Sequence, residues 1–170
     1  TNILMKLIYK YKLIIIILLS LVTLISVFKS YQNAQEISFD FHFSPAKLLS
    51  EGINHYQYIL EGKHDHGPED KIMYEQNGVY AQGLFVLLVP LTYLGWDQAK
   101  LVWSIINIFI GILLPLILCK KFKLDNFQIF LVISIFLSST IFRIHIGYGQ
   151  QTLLSFFFLI FPFIYNSKLS

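Results

Sequence analysis

Cysteine is all but missing from this chain, and charge is scarce. The lone Cys119 excludes an intrachain disulfide and a cysteine-built metal cluster. It closes an apolar run, where a buried, inert thiol is expected. Charged residues are 14% of the sequence and hydrophobic ones 55%, whereas a soluble domain carries about 25% charged residues. That leaves too little polar surface for a water-soluble domain. The 13 basic residues are dispersed beside apolar runs, which excludes a nucleic-acid footprint. No Asp, Glu, Lys, Arg or His stands in the middle third of a long apolar run. Proton-coupled pumps and many transporters carry ionisable groups there. No internal repeat is present. The chain starts at Thr1 and stops just after a hydrophobic run, so it reads as the N-terminal part of a longer membrane protein.

What is present are runs long enough for a bilayer. The first, 9–28, has 20 residues, about what a helix needs to cross roughly 30 Å of hydrocarbon. Lys6, Lys10 and Lys12 precede its apolar part, Leu13–Phe28. A signal peptide shares that layout, but Ser26-Val27-Phe28-Lys29 is not a small-x-small cleavage site, which favours a retained anchor with a cytoplasmic N-terminus. Further runs lie at 101–119, 127–146 and 152–165. The run 83–94 is only about a dozen residues, interrupted by Pro90 and closed by Gly95, and suits an interfacial segment. Charge supports this reading. If 83–94 stays at the outer surface, 101–119 runs inward and Lys120, Lys121 and Lys123 become cytoplasmic, as the positive-inside tendency asks. The expected fold is an all-α integral membrane protein of the cytoplasmic membrane with about four transmembrane helices. Its long extracytoplasmic first loop, 29–100, bears surface helices at 45–51 and 83–94. Ser44 and Pro45 supply an N-cap and first helical residue for the former, and Gly52 its end.

The segment Ser38–Gly83 holds four of the five His and seven of the ten acidic residues. Within it Asp40 alternates with Phe39, Phe41 and Phe43. A carboxylate held near the bilayer by aromatic neighbours is partly desolvated, which raises its pKa and suits it to general-base work. The same residue also reads as an acid that merely marks the end of the first span. His64-Asp65-His66 offers imidazole and carboxylate for Mn or Zn, but no spacing fixes a third ligand, and Gly62–Asp70 has the composition of a solvated turn. Arg143 and His145 precede Gly147-Tyr148-Gly149-Gln150. An arginine here either holds a phosphate through paired hydrogen bonds or snorkels to the interface.

Taken together, these residues resemble glycosyltransferase family 87, within the GT-C superfamily that uses polyprenyl-phosphate sugars. The resemblance rests on Asp40-Phe41, then Ala46-Lys47-Leu48-Leu49-Ser50-Glu51-Gly52 and Tyr56. It continues through Pro90-Leu91, Trp103 with Asn107, and Gly149-Gln150. The chain departs from the family pattern at Ser44, His55 and Ala81-Gln82, where the family has Tyr, Pro and a Pro-Pro pair. The resemblance implies an inverting hexosyltransferase, typically of mannose, working without metal or other cofactor. It implies that Asp40 is the catalytic base and that Arg143, His145, Lys71 and Gln150 hold the donor's phosphate or sugar. His42, His55 and Tyr56 become candidates for acceptor or surface contacts. The partners implied are the bilayer, a polyprenyl-phosphate-linked sugar and a glycan or lipid acceptor. A transporter or flippase fragment, or a non-catalytic membrane scaffold, is the alternative.

Overall fold

The computed structural model describes residues 10–38, 41–62 and 82–165, and these form helices without any strand. Asp40, Lys71 and the His64-Asp65-His66 group lie outside the described residues. The helices are α1 (Lys12–Glu36), α2 (Phe43–Ser50), α3 (His55–Leu60), α4 (Gln82–Leu88) with a 3-10 turn Val89–Tyr93, α5 (Trp96–Lys121), α6 (Asn126–Ser138), α7 (Thr140–Tyr148) and α8 (Thr152–Tyr165). Two of them, α1 with 25 residues and α5 with 26, are long and apolar enough to cross a membrane, each with a mean hydropathy of 2.5. The pair α6–α7 passes the same test as one broken unit. Among the described residues the protein is therefore all-helical, with two helices that qualify as membrane spans, or three if that pair counts as one.

α1 is the spine. It runs past the expected end at Phe28 to Glu36, because no Gly or Pro interrupts it and its later turns still have a neighbour to pack on. Its buried face is Ser26, Ser30 and Ala34, small residues spaced by four that let another helix approach closely. Such faces suit helix pairing in lipid, where burial of apolar surface gives little drive. The opposite face is greasy and open, with Leu13 70% and Leu24 67% exposed.

α6 and α7 follow α1 from one end to the other. Lys12 sits over the Phe127 ring at 5.0 Å, Thr23 and Ser26 bond to the end of α6, and Ser38 N–H donates to the Gly147 carbonyl at 3.0 Å. A Cβ on Gly147 would stand 3.0 Å from Asn33 Cβ, so glycine sets this approach. α6 begins with a capping box: Asp125 accepts from the Phe127 and Gln128 amides, and the Gln128 side chain accepts from the Asp125 amide.

The expected continuous helix over 127–146 is instead bent by 56° at Ser139. Neither Pro nor Gly causes the break; hydroxyls do. Ser139 Oγ accepts from the Phe142 amide at 3.1 Å. Carbonyls near the break take hydroxyl donors from mid-α1, with Ser26 Oγ donating to Leu137 O at 3.0 Å and Thr23 Oγ1 to Ser134 O at 3.4 Å. Broken backbone persists at membrane depth only when such groups replace the missing bonds. Ser26→Ala is therefore expected to cost about 1 kcal/mol, read as a lower unfolding midpoint in mixed micelles. An unchanged midpoint would show that the carbonyl needs no donor.

α5 runs antiparallel to α1 and starts five residues before the expected Leu101. Gly95 caps it in an extended conformation, and Asp97 lies in its first turn, where a carboxylate favours the helix dipole. Phe142 seats on Gly111 of α5, where any Cβ would collide with the ring. At its far end α5 delivers Lys120 and Lys121 to the same end of the bundle as Lys12 and Asp125. α8, with 14 residues, runs beside α5 and is shorter than the about 20 residues a perpendicular crossing takes.

The surface elements all sit at the other end. Phe85 and Leu88 of α4 are buried with Phe41, Phe43, Ala46, Ala99 and Trp103. The segment 82–93 thus packs with α2 and the first turns of α5. α2 starts at Phe43 and not at Pro45: the N-cap is His42, in the left-handed region at φ 57. Ser44 and Pro45 fall inside the first turn, so Ser44 is not the cap. Gly52, at φ 77, ends the helix as expected.

Candidate functional site

Two short backbone pieces meet where the bundle meets α2 and α4. One is the strap formed by Ser38 and Phe41, the residues either side of the Phe39-Asp40 pair. The other is the turn Gly147–Gln151 between α7 and α8. Ser38 N–H bonds to Gly147 O, and Phe41 N–H bonds to Ser38 O at 3.2 Å. Gln151 Nε2 donates to Phe41 O at 3.4 Å. Gly149 is left-handed at φ 71, and a Cβ there would stand 3.1 Å from Phe41 Cβ and 3.4 Å from its Cα and N. Only glycine meets both demands, the dihedral and the close approach.

Trp103 ties the two pieces to α5. Its Nε1–H donates to Gly149 O at 2.7 Å, and its ring stacks on Phe41 with centroids 5.6 Å apart. Trp96 stacks on Phe41 from 5.7 Å, and Phe43 meets Trp96 edge-on at 5.4 Å. Phe41 is 0% exposed, and burying such a ring stabilises by about 1.5–3 kcal/mol. Phe41 and Phe43 thus form a rigid aromatic cluster with Trp96 and Trp103.

Lys100 closes the same corner. Its side chain is buried; the ammonium donates to Gln35 O at 2.6 Å and pairs with Asp97 at 3.0 Å. It also lies over the Trp96 ring at 5.2 Å. A cation on the last carbonyls of α1 suits that helix's dipole. Sequence reasoning missed it because Lys100 reads as one more polar residue before the α5 run.

Below the strap lies an apolar groove of about 290 Å³ between α4, α5 and α8. Leu87, Pro90, Leu91, Trp103, Ile106, Leu154 and Phe158 line it. Trp103 is therefore a wall shared by the groove and the strap.

The expected site residues fare differently. Arg143 is half-buried on α7, one turn short of Gly147, and its guanidinium makes no hydrogen bond or ion pair with the described residues. His145 is half-buried too, but two residues on it points about 200° away around the helix. The two do not form one cradle. Gln150 is half-buried, with its amide bonded to His145 O at 3.0 Å. The neighbouring Gln151, which the sequence did not single out, is the glutamine that reaches the strap. It is 1% exposed.

His42 and His55 are not surface contacts. They are 2% and 4% exposed and flank Phe85, with ring centroids 5.8 and 6.0 Å from it. Tyr56 packs partly buried against the same cluster. A buried imidazole replaces the exposed one expected because Phe85 offers an aromatic face on which both rings close the α2–α4 layer. No group of three or more His, Cys, Asp or Glu among the described residues could hold a metal.

Burial lowers the His55 pKa below its usual 6.5 by penalising the charged form. The unfolded chain then binds the proton more readily, so acid favours unfolding. The His55 contribution is intact above pH 6.5 and declines as pH falls through the interval below it. Hydrogen-exchange protection at α2 and α3, referred to the intrinsic exchange rate at each pH, is expected to fall between pH 7.5 and pH 5.5, and less so in His55→Phe. Equal acid sensitivity in that variant would remove His55 as the cause.

No family model, no curated protein and no solved structure matches the chain.

Proposed function

We propose that this chain is the donor-handling part of an integral-membrane glycosyltransferase of GT-C type. In this reading it moves a mannose-like hexose from a polyprenyl phosphate to a glycan or lipid acceptor outside the cytoplasmic membrane. The observation that carries the proposal is the convergence at Trp103. The strap that flanks Asp40, the Gly147–Gln151 turn and an apolar groove all meet there, at one end of the bundle. A lipid-linked sugar needs an apolar seat for its tail beside a polar place for its headgroup, and a carboxylate near that place.

The proposed topology has four spans, with α6–α7 crossing as one broken span and α8 as the fourth. The packing of α6–α7 along the whole of α1 supports this reading against a re-entrant loop, which would return to its own side. The lysines at the Lys12 end put that end in the cytoplasm, and with it the N-terminus.

In the proposed reaction Asp40 takes the proton of the acceptor hydroxyl as that oxygen attacks the anomeric carbon. The bond from that carbon to the phosphate oxygen breaks, and polyprenyl phosphate leaves with the bonding pair. Attack from the far side inverts the anomeric centre. Arg143, with donors to spare, holds the leaving phosphate.

A transporter reading draws on the broken helix at mid-depth, a common feature of transporter sites. Here, however, hydroxyls of α1 already bond to carbonyls near the break that would coordinate a cation. The test is full-length protein in liposomes with polyprenyl-phosphate mannose and a membrane lipid extract as acceptor source. Release of polyprenyl phosphate with an inverted glycoside as product supports the transferase. Passage of the donor across the bilayer without cleavage overturns it.

A further inference from the structure

We propose that Gln151 is a positioning residue that holds the Phe41 end of the strap, and with it the backbone joined to Asp40. This inference rests on the reading of Asp40 as the base. The Gln151 carboxamide is 1% exposed. Its Nε2 donates to Phe41 O at 3.4 Å, while its Oε1 has no hydrogen-bond partner. A leucine of similar size would fill this place without burying an unmet oxygen, so packing does not account for an amide here. What the amide supplies is one bond to the carbonyl of Phe41, the residue after Asp40. Long at 3.4 Å, it gives direction more than strength.

Other restraints act at the Ser38 end, where Ser38 Oγ donates to Ala34 O, and on the backbone and the Phe41 ring. Ser38 N–H to Gly147 O and Phe41 N–H to Ser38 O are backbone bonds, and the stack on Trp103 fixes a ring. Among the described residues, Gln151 gives the strap a side-chain hydrogen bond from the α7–α8 turn, and one substitution can cut it while leaving the backbone intact. A small displacement of a reacting carboxylate is enough to lose about 100-fold in rate.

The experiment uses full-length protein in liposomes with polyprenyl-phosphate mannose. Gln151→Leu is expected to lower kcat about 100-fold while the donor KM stays within about twofold, as a misplaced base predicts. Gln151→Glu supplies a second readout, because its carboxyl can donate to Phe41 O only when protonated. Its kcat should fall as pH rises through the range where that carboxyl ionises, a loss the wild type does not show, while both need Asp40 ionised. Wild-type kcat in Gln151→Leu, or a wild-type pH profile in Gln151→Glu, overturns the proposal. If the wild-type protein transfers no sugar, the reading of Asp40 fails by itself, and amide exchange then decides the positioning. The Ser38 and Phe41 amides should exchange about tenfold faster in Gln151→Leu; unchanged exchange overturns it.

Discussion

Asp40→Asn is expected to lower hexose transfer by about 10²- to 10⁴-fold, the range supplied by a positioned general base. The exchange keeps the size of the side chain and removes its basicity. The variant should insert and unfold like the wild type, because the exchange conserves size and the next residue, Phe41, is held by Trp96, Trp103 and Gly149. Donor binding should persist, measured by retention of polyprenyl-phosphate mannose on immobilised protein. Full transfer by this variant would remove Asp40 from the mechanism while leaving the fold untouched.

The second large effect is on stability. Trp103→Ala is expected to cost about 3–5 kcal/mol, as other buried tryptophan truncations do. It removes a ring that is 3% exposed, the stack on Phe41 and the hydrogen bond to Gly149 O at once. Trp103→Phe keeps most of the ring and loses the N–H, so it should cost about 1–2 kcal/mol. The two unfolding midpoints, measured side by side in mixed micelles, separate the ring from the bond. Equal losses would mean that the hydrogen bond to Gly149, not the stack, holds the turn. Trp103 also lines the apolar groove, so the alanine variant should weaken donor retention, which Asp40→Asn should not.

Much of the architecture was legible because its signals are strong and local. Runs of Ile and Leu with lysines beside them announced α1 and α5, and a short run cut by Pro90 announced the short α4 with its 3-10 turn. The break at Ser139 was not legible. Ser138-Ser139-Thr140 has no proline or glycine, and the bend depends on Thr23 and Ser26 more than a hundred residues earlier. One signal was there to be read: Ser26, Ser30 and Ala34 recur at spacing four, a face built for close helix contact.

The site was half legible. Asp40-Phe41 and Gly149 drew notice from their neighbours in the sequence, and the fold joins Phe41 to Gly149. His42 and His55 looked like loop residues because polarity and exposure usually go together. Phe85, far along the chain, gives both rings a buried seat. In Gly149-Gln150-Gln151 two identical side chains differ only in direction, which helix α8 sets. Sequence alone cannot rank them.

The account turns on one end of the bundle, carrying strap, turn and groove, lying outside the membrane while the lysine-rich end lies inside. Cysteine labelling in intact cells tests this most directly, in a Cys119→Ser background. Tyr93 is 83% exposed and Phe122 is 72% exposed, and both suit replacement by cysteine, together with Gln150. The account predicts that an impermeant maleimide reaches Tyr93→Cys and Gln150→Cys from outside, and Phe122→Cys only after the membrane is opened. Labelling of Tyr93→Cys and Gln150→Cys from opposite sides would contradict it.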